Sequence, residues 1–194
     1  MSEDTWLVAG LGNPGPGYAG HRHNIGQRVA DELAGRLGAT FKTHKARAVV
    51  AEGRAGIGGP RLVIAKPSTY MNLNGGPVAT LAKFFSIPPE RVVALHDDID
   101  LDAGTVRLKQ GGSEGGHNGL RDLSKTLGTK NYLRVRIGVG RPPGRMDAAA
   151  FVLKDFSATE KKSLLPFVID DAADAAEAIV AAGFDAAQDR FNRT

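Results

Sequence analysis

A chain of 194 residues with 42% hydrophobic and 24% charged residues has the length and balance of one soluble globular domain, enough to bury roughly 70% of its extended surface. It has no cysteine, which excludes thiol nucleophiles, disulfides and cysteine-held zinc, and no apolar run near the ~18 residues of a membrane span. Its net charge of +4 is unevenly spread: residues 103–145 hold nine Lys and Arg against two Asp and Glu, and residues 146–194 hold five against nine.

The acidic start Met1-Ser2-Glu3-Asp4 and the short run Trp6 to Leu11 lack the form of a signal peptide, so the expected location is the cytoplasm. Trp6 to Gly10 reads as a buried strand that opens into the turn Gly10 to Gly26. Gly10, Gly12 and Gly15 satisfy the G-x-G-x-x-G spacing of dinucleotide sites. Pro14 and Pro16 argue against a phosphate cradle, because proline offers no N–H, and the next helix pattern begins only near Asn24. The turn is better suited to presenting side chains: Asn13 within it and His23-Asn24 at its far end.

Ile25, Val29, Leu33 and Leu37 then recur every four positions, a helix closed by Gly38. Ala46 to Ala55 and Arg61 to Lys66 form two strands around the turn Gly56-Ile57-Gly58-Gly59-Pro60. The loop Ser68 to Gly75 leads into a helix through Val78, Leu81, Ala82 and Phe85, stopped by Pro88-Pro89. Arg91 to Leu95 is another buried strand, followed by His96-Asp97-Asp98-Ile99-Asp100-Leu101-Asp102, and Thr105 to Lys109 alternates as an edge strand. Gly111 to Gly119 is a glycine-rich loop, expected to be mobile unless a ligand orders it. Leu120, Leu123 and Leu127 mark a third helix and Tyr132 to Val139 a strand. After Pro142-Pro143-Gly144 the composition turns to alanine and acid; Ser157-x-x-Glu160 has capping-box spacing, a long helix is expected from Thr159 to Ala182, and a short one from Phe184 to Asn192. The pattern describes a single α/β domain over residues 1–194: a twisted mixed β-sheet flanked by helices, with a C-terminal helical cover.

Three loops that follow strands carry asparagines, Asn13, Asn72 and Asn118. Their amides do not titrate and can orient a water or a carbonyl at any pH; singly each is an ordinary turn residue. His23 with Asp97 is a candidate pair of base and carboxylate partner, in which the acid fixes the tautomer and stabilises the cation that forms. There is no G-x-S-x-G elbow and no cysteine, so a covalent nucleophile lacks support. The rival is a two-metal site drawn from His21, His23, His96, Asp97, Asp98, Asp100 and Asp102, but H-E-x-x-H is absent and no metal is expected. Arg107, Lys109, Arg121, Lys125, Lys130, Arg134, Arg136, Arg141 and Arg145 form a cationic block, either a solvated face or the footprint of a polyanion, nucleic acid first.

Six motifs in order carry a family resemblance: Gly-Leu-Gly-Asn13-Pro-Gly; Tyr18 followed by His21-Arg22-His23-Asn24; Lys66 to Leu73; His96 to Leu101; Gly115-Gly116-His117-Asn118-Gly119; and Arg134 to Gly140. Together they resemble the bacterial peptidyl-tRNA hydrolases over nearly the whole chain. The resemblance implies hydrolysis of the ester between a peptide and the 3′ end of a tRNA, recycling tRNA from aborted translation, by a cofactor-free monomer. His23 then resembles the catalytic base and Asp97 its partner, with Asn13 and Asn118 in the catalytic set. Tyr18, Asn24, Met71, Asn72 and His117 are matched to substrate binding, Lys109 and Arg136 to tRNA phosphates, with Arg107 a neighbouring basic candidate. Asp98 stands where many relatives have Glu, and Ser113-Glu114 where a glycine-histidine pair is frequent, so loop contacts are not carried to those two. A noncatalytic RNA-binding relative and a metal-dependent esterase are the competing expectations.

Overall fold

Seven strands form one mixed sheet in the computed structural model, which describes residues 5–193; Met1 to Asp4 lie outside the described residues. They are β1 (Thr5–Gly10), β2 (Lys42–His44), β3 (Ala48–Arg54), β4 (Arg61–Pro67), β5 (Val92–Asp98), β6 (Val106–Gln110) and β7 (Leu133–Gly138), in the order β2-β3-β4-β1-β5-β7-β6. The central β4, β1, β5 and β7 run parallel. β3 and β2 at one edge and β6 at the other are antiparallel.

Of the parallel strands, β1, β4 and β5 carry continuous apolar runs because helices cover both of their faces, whereas β7 alternates apolar residues with Arg134 and Arg136. Helices α1 (Ile25–Arg36) and α6 (Leu165–Ala182) bury Val8, Val93, Leu95 and Val135 on one side. Helices α2 (Gly75–Phe84) and α3 (Asn118–Leu127) bury Leu7, Ala9, Val63 and Ala94 on the other. Among the described residues no helix is long and apolar enough to cross a membrane.

The C-terminal part departs from expectation. The long helix is two, α5 (Ala158–Ser163) and α6, broken at Leu164 with φ −127° and ψ −50°. Pro166 is the cause: it has no N–H for a helical bond and its ring excludes the carbonyl one turn back. The capping box at Ser157 and Glu160 does form. A further helix, α4 (Ala148–Val152), starts where the Asp147 side chain accepts the Ala150 N–H at 3.3 Å. The chain ends in α7 (Phe184–Phe191).

Two glycines decide where the site can be. A Cβ on Gly26 would lie 2.1 Å from the Leu95 carbonyl oxygen, and one on Gly10 would lie 2.5 Å from that of Gly26. The start of α1 therefore rests backbone to backbone on the ends of β1 and β5, which brings His23 over the carboxyl end of β5. Ligands bind at that end of parallel strands.

Candidate active site

Asp97 lies within β5, not after it as expected, and is 3% exposed. Two imidazoles meet it. His23 Nδ1 is 2.9 Å from both carboxylate oxygens, and His117 Nε2 is 2.9 Å from Oδ1. His117 also caps α3: its Nδ1 accepts the N–H groups of Gly119 and Leu120 at 3.1 and 3.3 Å. That fixes its proton on Nε2, donated to Asp97. His23 donates Nδ1–H to the same carboxylate, leaving its Nε2 lone pair for the cleft.

The charges follow from this geometry. Burial alone would raise the Asp97 pKa, but His23 and His117 outweigh it and hold the carboxyl far below the usual range. Burial also disfavours the His23 cation, yet the charge and hydrogen bond of Asp97 prevail and its pKa is raised. His96 is different. Burial, helped by His117, pushes it down to about 3. Its Nδ1–H donates to the Asp97 carbonyl at 2.8 Å, its Nε2 is buried without a partner, and its ring stands edge-on to His117 with centroids 5.2 Å apart.

A frame of amides holds the loops around this centre. Asn13 Oδ1 accepts the Met71 N–H at 2.6 Å, which orients Asn13 Nδ2 away from Met71 and towards the cleft. Asn24, expected to bind substrate, does not reach it: it is 2% exposed and spends its amide on Asn13, accepting from N–H at 3.0 Å and donating to C=O at 2.8 Å. Its role is to clamp the Asn13 turn. Asn74, not singled out from the sequence, is fully buried and ties two loops together, accepting from Gly12 N–H and donating to the carbonyls of Gly12, Thr69 and Tyr70. The Asn-Gly step at the head of α2 was its one sequence signal.

These loops border a cleft of about 690 Å³. Asn13, Tyr18, His23, Met71, Asn72, His117 and Asn118 all line it, so the structure gathers every expected catalytic and substrate-side residue except Asn24. Asn118 Oδ1 accepts from Arg121 at 3.3 Å. The far wall, Asp147 to Ala149 with Val152 and Leu153, comes from α4 and its flanks and was not expected. Buried Arg22 holds that wall in place: it donates to the Asp155 carbonyl at 2.8 Å and to Glu160 at 2.9 Å, with its guanidinium 4.1 Å from the Phe151 ring centre.

The acidic cluster considered for metals separates. Asp98 pairs with Arg136, Asp100 with Arg141, and His21 faces Asp155. His23, Asp97 and His117 do bring one ligand atom each within 4.8 Å of one another. The set does not fit a metal well, because the His117 nitrogen facing Asp97 carries the proton that its capping role assigns to it.

A family model described as peptidyl-tRNA hydrolase matches residues 7–194. The chain belongs to the peptidyl-tRNA hydrolase family. It is 66% identical to the peptidyl-tRNA hydrolase of Arthrobacter sp. (strain FB24) over 189 residues, 97% of each chain. It is 57% identical to that of Kineococcus radiotolerans over 194 residues, 97% of this chain and 98% of the other. The crystal structure of peptidyl-tRNA hydrolase from Acinetobacter baumannii superposes with a TM-score of 0.89 at 36% identity, covering 100% of this chain and 96% of that one.

In this member of the peptidyl-tRNA hydrolase family, the basic candidates lie beyond the cleft on β6 and β7. Arg107 is paired across the strands with Arg136, and Lys109 with Arg134. Arg136 Nε donates to Asp98 at 2.8 Å, Arg107 donates to the Phe191 carbonyl at 3.3 Å, and Lys109 has no acidic partner among the described residues. Arg134 must be removed from the cationic surface. It is 1% exposed and donates to the carbonyls of Ser113 and Gly112 at 2.5 and 3.1 Å, holding the glycine loop from beneath. Glu114 holds the same loop from its middle, bonded to Ser124 at 3.1 Å and paired with Lys130 at 3.4 Å.

Proposed function

We propose that the chain hydrolyses the ester joining a peptide to the 3′ end of a tRNA, with His23 taking a proton from the attacking water. The observation that carries this reading is the contact of His23 Nδ1 with both Asp97 oxygens at 2.9 Å. It sets the tautomer that leaves Nε2 as the base, and it stabilises the imidazolium once the proton has moved. Asn13 Nδ2, oriented by the Met71 N–H, is the donor placed for the developing oxyanion, with Asn118 across the cleft. Tyr18, Met71, Asn72 and His117 shape the acyl side. The ribose oxygen leaves more readily than an amide nitrogen, so one base and amide donors suffice and no step calls on a metal or cofactor.

Lys109, Arg136 and Arg107 are read as contacts to tRNA phosphates, which every tRNA shares, so recognition is independent of base sequence. Action as a monomer belongs to the same reading, and the substrate supports a cytoplasmic location. Release of N-acyl-amino acid from N-acyl-aminoacyl-tRNA, with and without a chelator, tests the reading. Chelator-resistant cleavage that falls roughly 10²- to 10⁴-fold in His23→Ala, with tRNA affinity kept, is the expected result. Near-normal turnover in that variant would remove His23 from the mechanism, and tight tRNA binding with no cleavage by the unaltered chain would return the noncatalytic RNA-binding reading.

A further inference from the structure

β6 is the outermost strand at its edge, so the outward N–H and C=O of Leu108 have no neighbouring strand to pair with. Asn192, the residue after α7, takes both. The Leu108 N–H donates to Asn192 Oδ1 at 2.9 Å, and Asn192 Nδ2 donates to the Leu108 carbonyl at 3.0 Å. One side-chain amide, with its single acceptor oxygen and its N–H donors, thus does what the peptide group of a further strand would do. Gln188 Nε2 donates to the same carbonyl at 3.3 Å, and Arg107 reaches back to the Phe191 carbonyl, so the end of α7 is fastened to β6 at three points. The Leu108 side chain is buried in the core, so its strand neighbours Arg107 and Lys109 belong to the opposite face.

We infer that Asn192 is a positioning residue for nucleic-acid binding: by closing the edge of β6 it holds Lys109 and Arg107 in register beside Arg136. This rests on the reading of β6 and β7 as the tRNA surface. An edge strand whose outward groups are unpaired opens locally more often, and cations on an opened strand must be ordered again before they can meet phosphates. Asn192 needs no contact with the RNA itself.

Asn192→Ala in the full chain tests this, with N-acyl-aminoacyl-tRNA as substrate and amide hydrogen exchange as the structural readout. The expected result is faster exchange at Leu108 with core amides such as Leu95 unchanged, a KM raised about three- to tenfold, the worth of roughly one net hydrogen bond, and kcat unaltered. Added to Lys109→Ala, the substitution should raise KM by less than it does alone, because the part of its effect that runs through Lys109 is already lost and only the part through Arg107 remains. Gln188→Ala, which removes one bond to the same carbonyl, should show the same pattern more weakly. Faster Leu108 exchange with unchanged KM would overturn the inference, and so would a uniform rise in exchange across the core, which would make Asn192 a residue of general stability. If Lys109→Ala itself leaves KM unchanged, the tRNA surface lies elsewhere and both readings fall.

Discussion

Asp97 is hydrogen-bonded by both His23 and His117, so Asp97→Asn removes the charge that orients one ring and raises its basicity. Turnover should fall by about 10⁴, the effect known for the equivalent change in a serine-protease triad, where the wrong tautomer results. The residual activity should also keep its acid limb to lower pH. With His23 as the proposed base and Asp97 in place, His23 must lose a proton whose pKa is raised, so kcat/KM should climb with pH through a value raised from that of an ordinary imidazole; without Asp97, burial alone acts and lowers that value. A pH profile of the variant with an unmoved acid limb would break the link between the two residues. His96 carries a separate pH signature. Its folded pKa of about 3 lies below the unfolded value of about 6.5, so the unfolded chain binds the proton first. Its contribution to stability is complete above about pH 6.5 and is lost as pH falls towards 3. His96→Asn should therefore flatten the decline of unfolding free energy between about pH 6.5 and 4, measured in urea. His23 has the opposite sign, its contribution being lost as pH rises through its raised pKa. Residues of this kind were partly legible in the sequence: the His23 and Asp97 types announce their chemistry, whereas Asn24 and Asn74 are indistinguishable in a string of letters from asparagines that face a substrate.

At the level of elements, β1, β4 and β5 were legible because burial on both faces writes an unbroken apolar run, β7 because Leu133, Val135 and Ile137 alternate with Arg134 and Arg136, and α1 to α3 because burial on one face writes a helical period. β2 and α4, at three and five residues, are too short to show a period, which is why the far wall of the cleft escaped notice. The division of α5 from α6 had a visible cause in Pro166, outweighed in reading by the alanine-rich run that follows. The contact that sets the site, Gly26 on Leu95, was not legible at all: a glycine in the first turn of a helix reads as the end of the preceding turn, and only the partner strand shows why a side chain is forbidden. Gly26→Ala should cost about 1–3 kcal/mol, the usual range for overpacking, and lower kcat besides, because the only relief is to lift α1 and with it His23 from β5. Unfolding in urea alongside single-turnover kinetics would check it; unchanged kcat would show that His23 tolerates the shift.

Across the whole molecule charge is sorted by face. The acids of the C-terminal region gather on α6, where Asp170, Asp174 and Glu177 surround Arg36, on the side of the sheet away from α2 and α3. The surplus of cations sits on β6, β7 and the segments between. Such an arrangement steers a polyanion to one side. Lys109→Ala should weaken tRNA binding and reduce the slope of log K against log salt by about 1; an unchanged slope would place the phosphates elsewhere. The cationic block was legible as a run of basic residues, but not that Arg134 turns inward, since alternation along β7 puts Arg134 and Arg136 on the same face and only the covering loop distinguishes them.

The order of synthesis gives the shared Asp97 a further meaning. His23 and Asp97 are 74 positions apart, His117 comes later still, and α1 finds its cover only in α6. No early portion of the chain can hold the finished centre of His23, Asp97 and His117, because the partner strand, the second imidazole and the helix that covers α1 have yet to be made. Assembly of the cleft is therefore a late event in the life of the chain, governed by long-range closure and not by local helix formation.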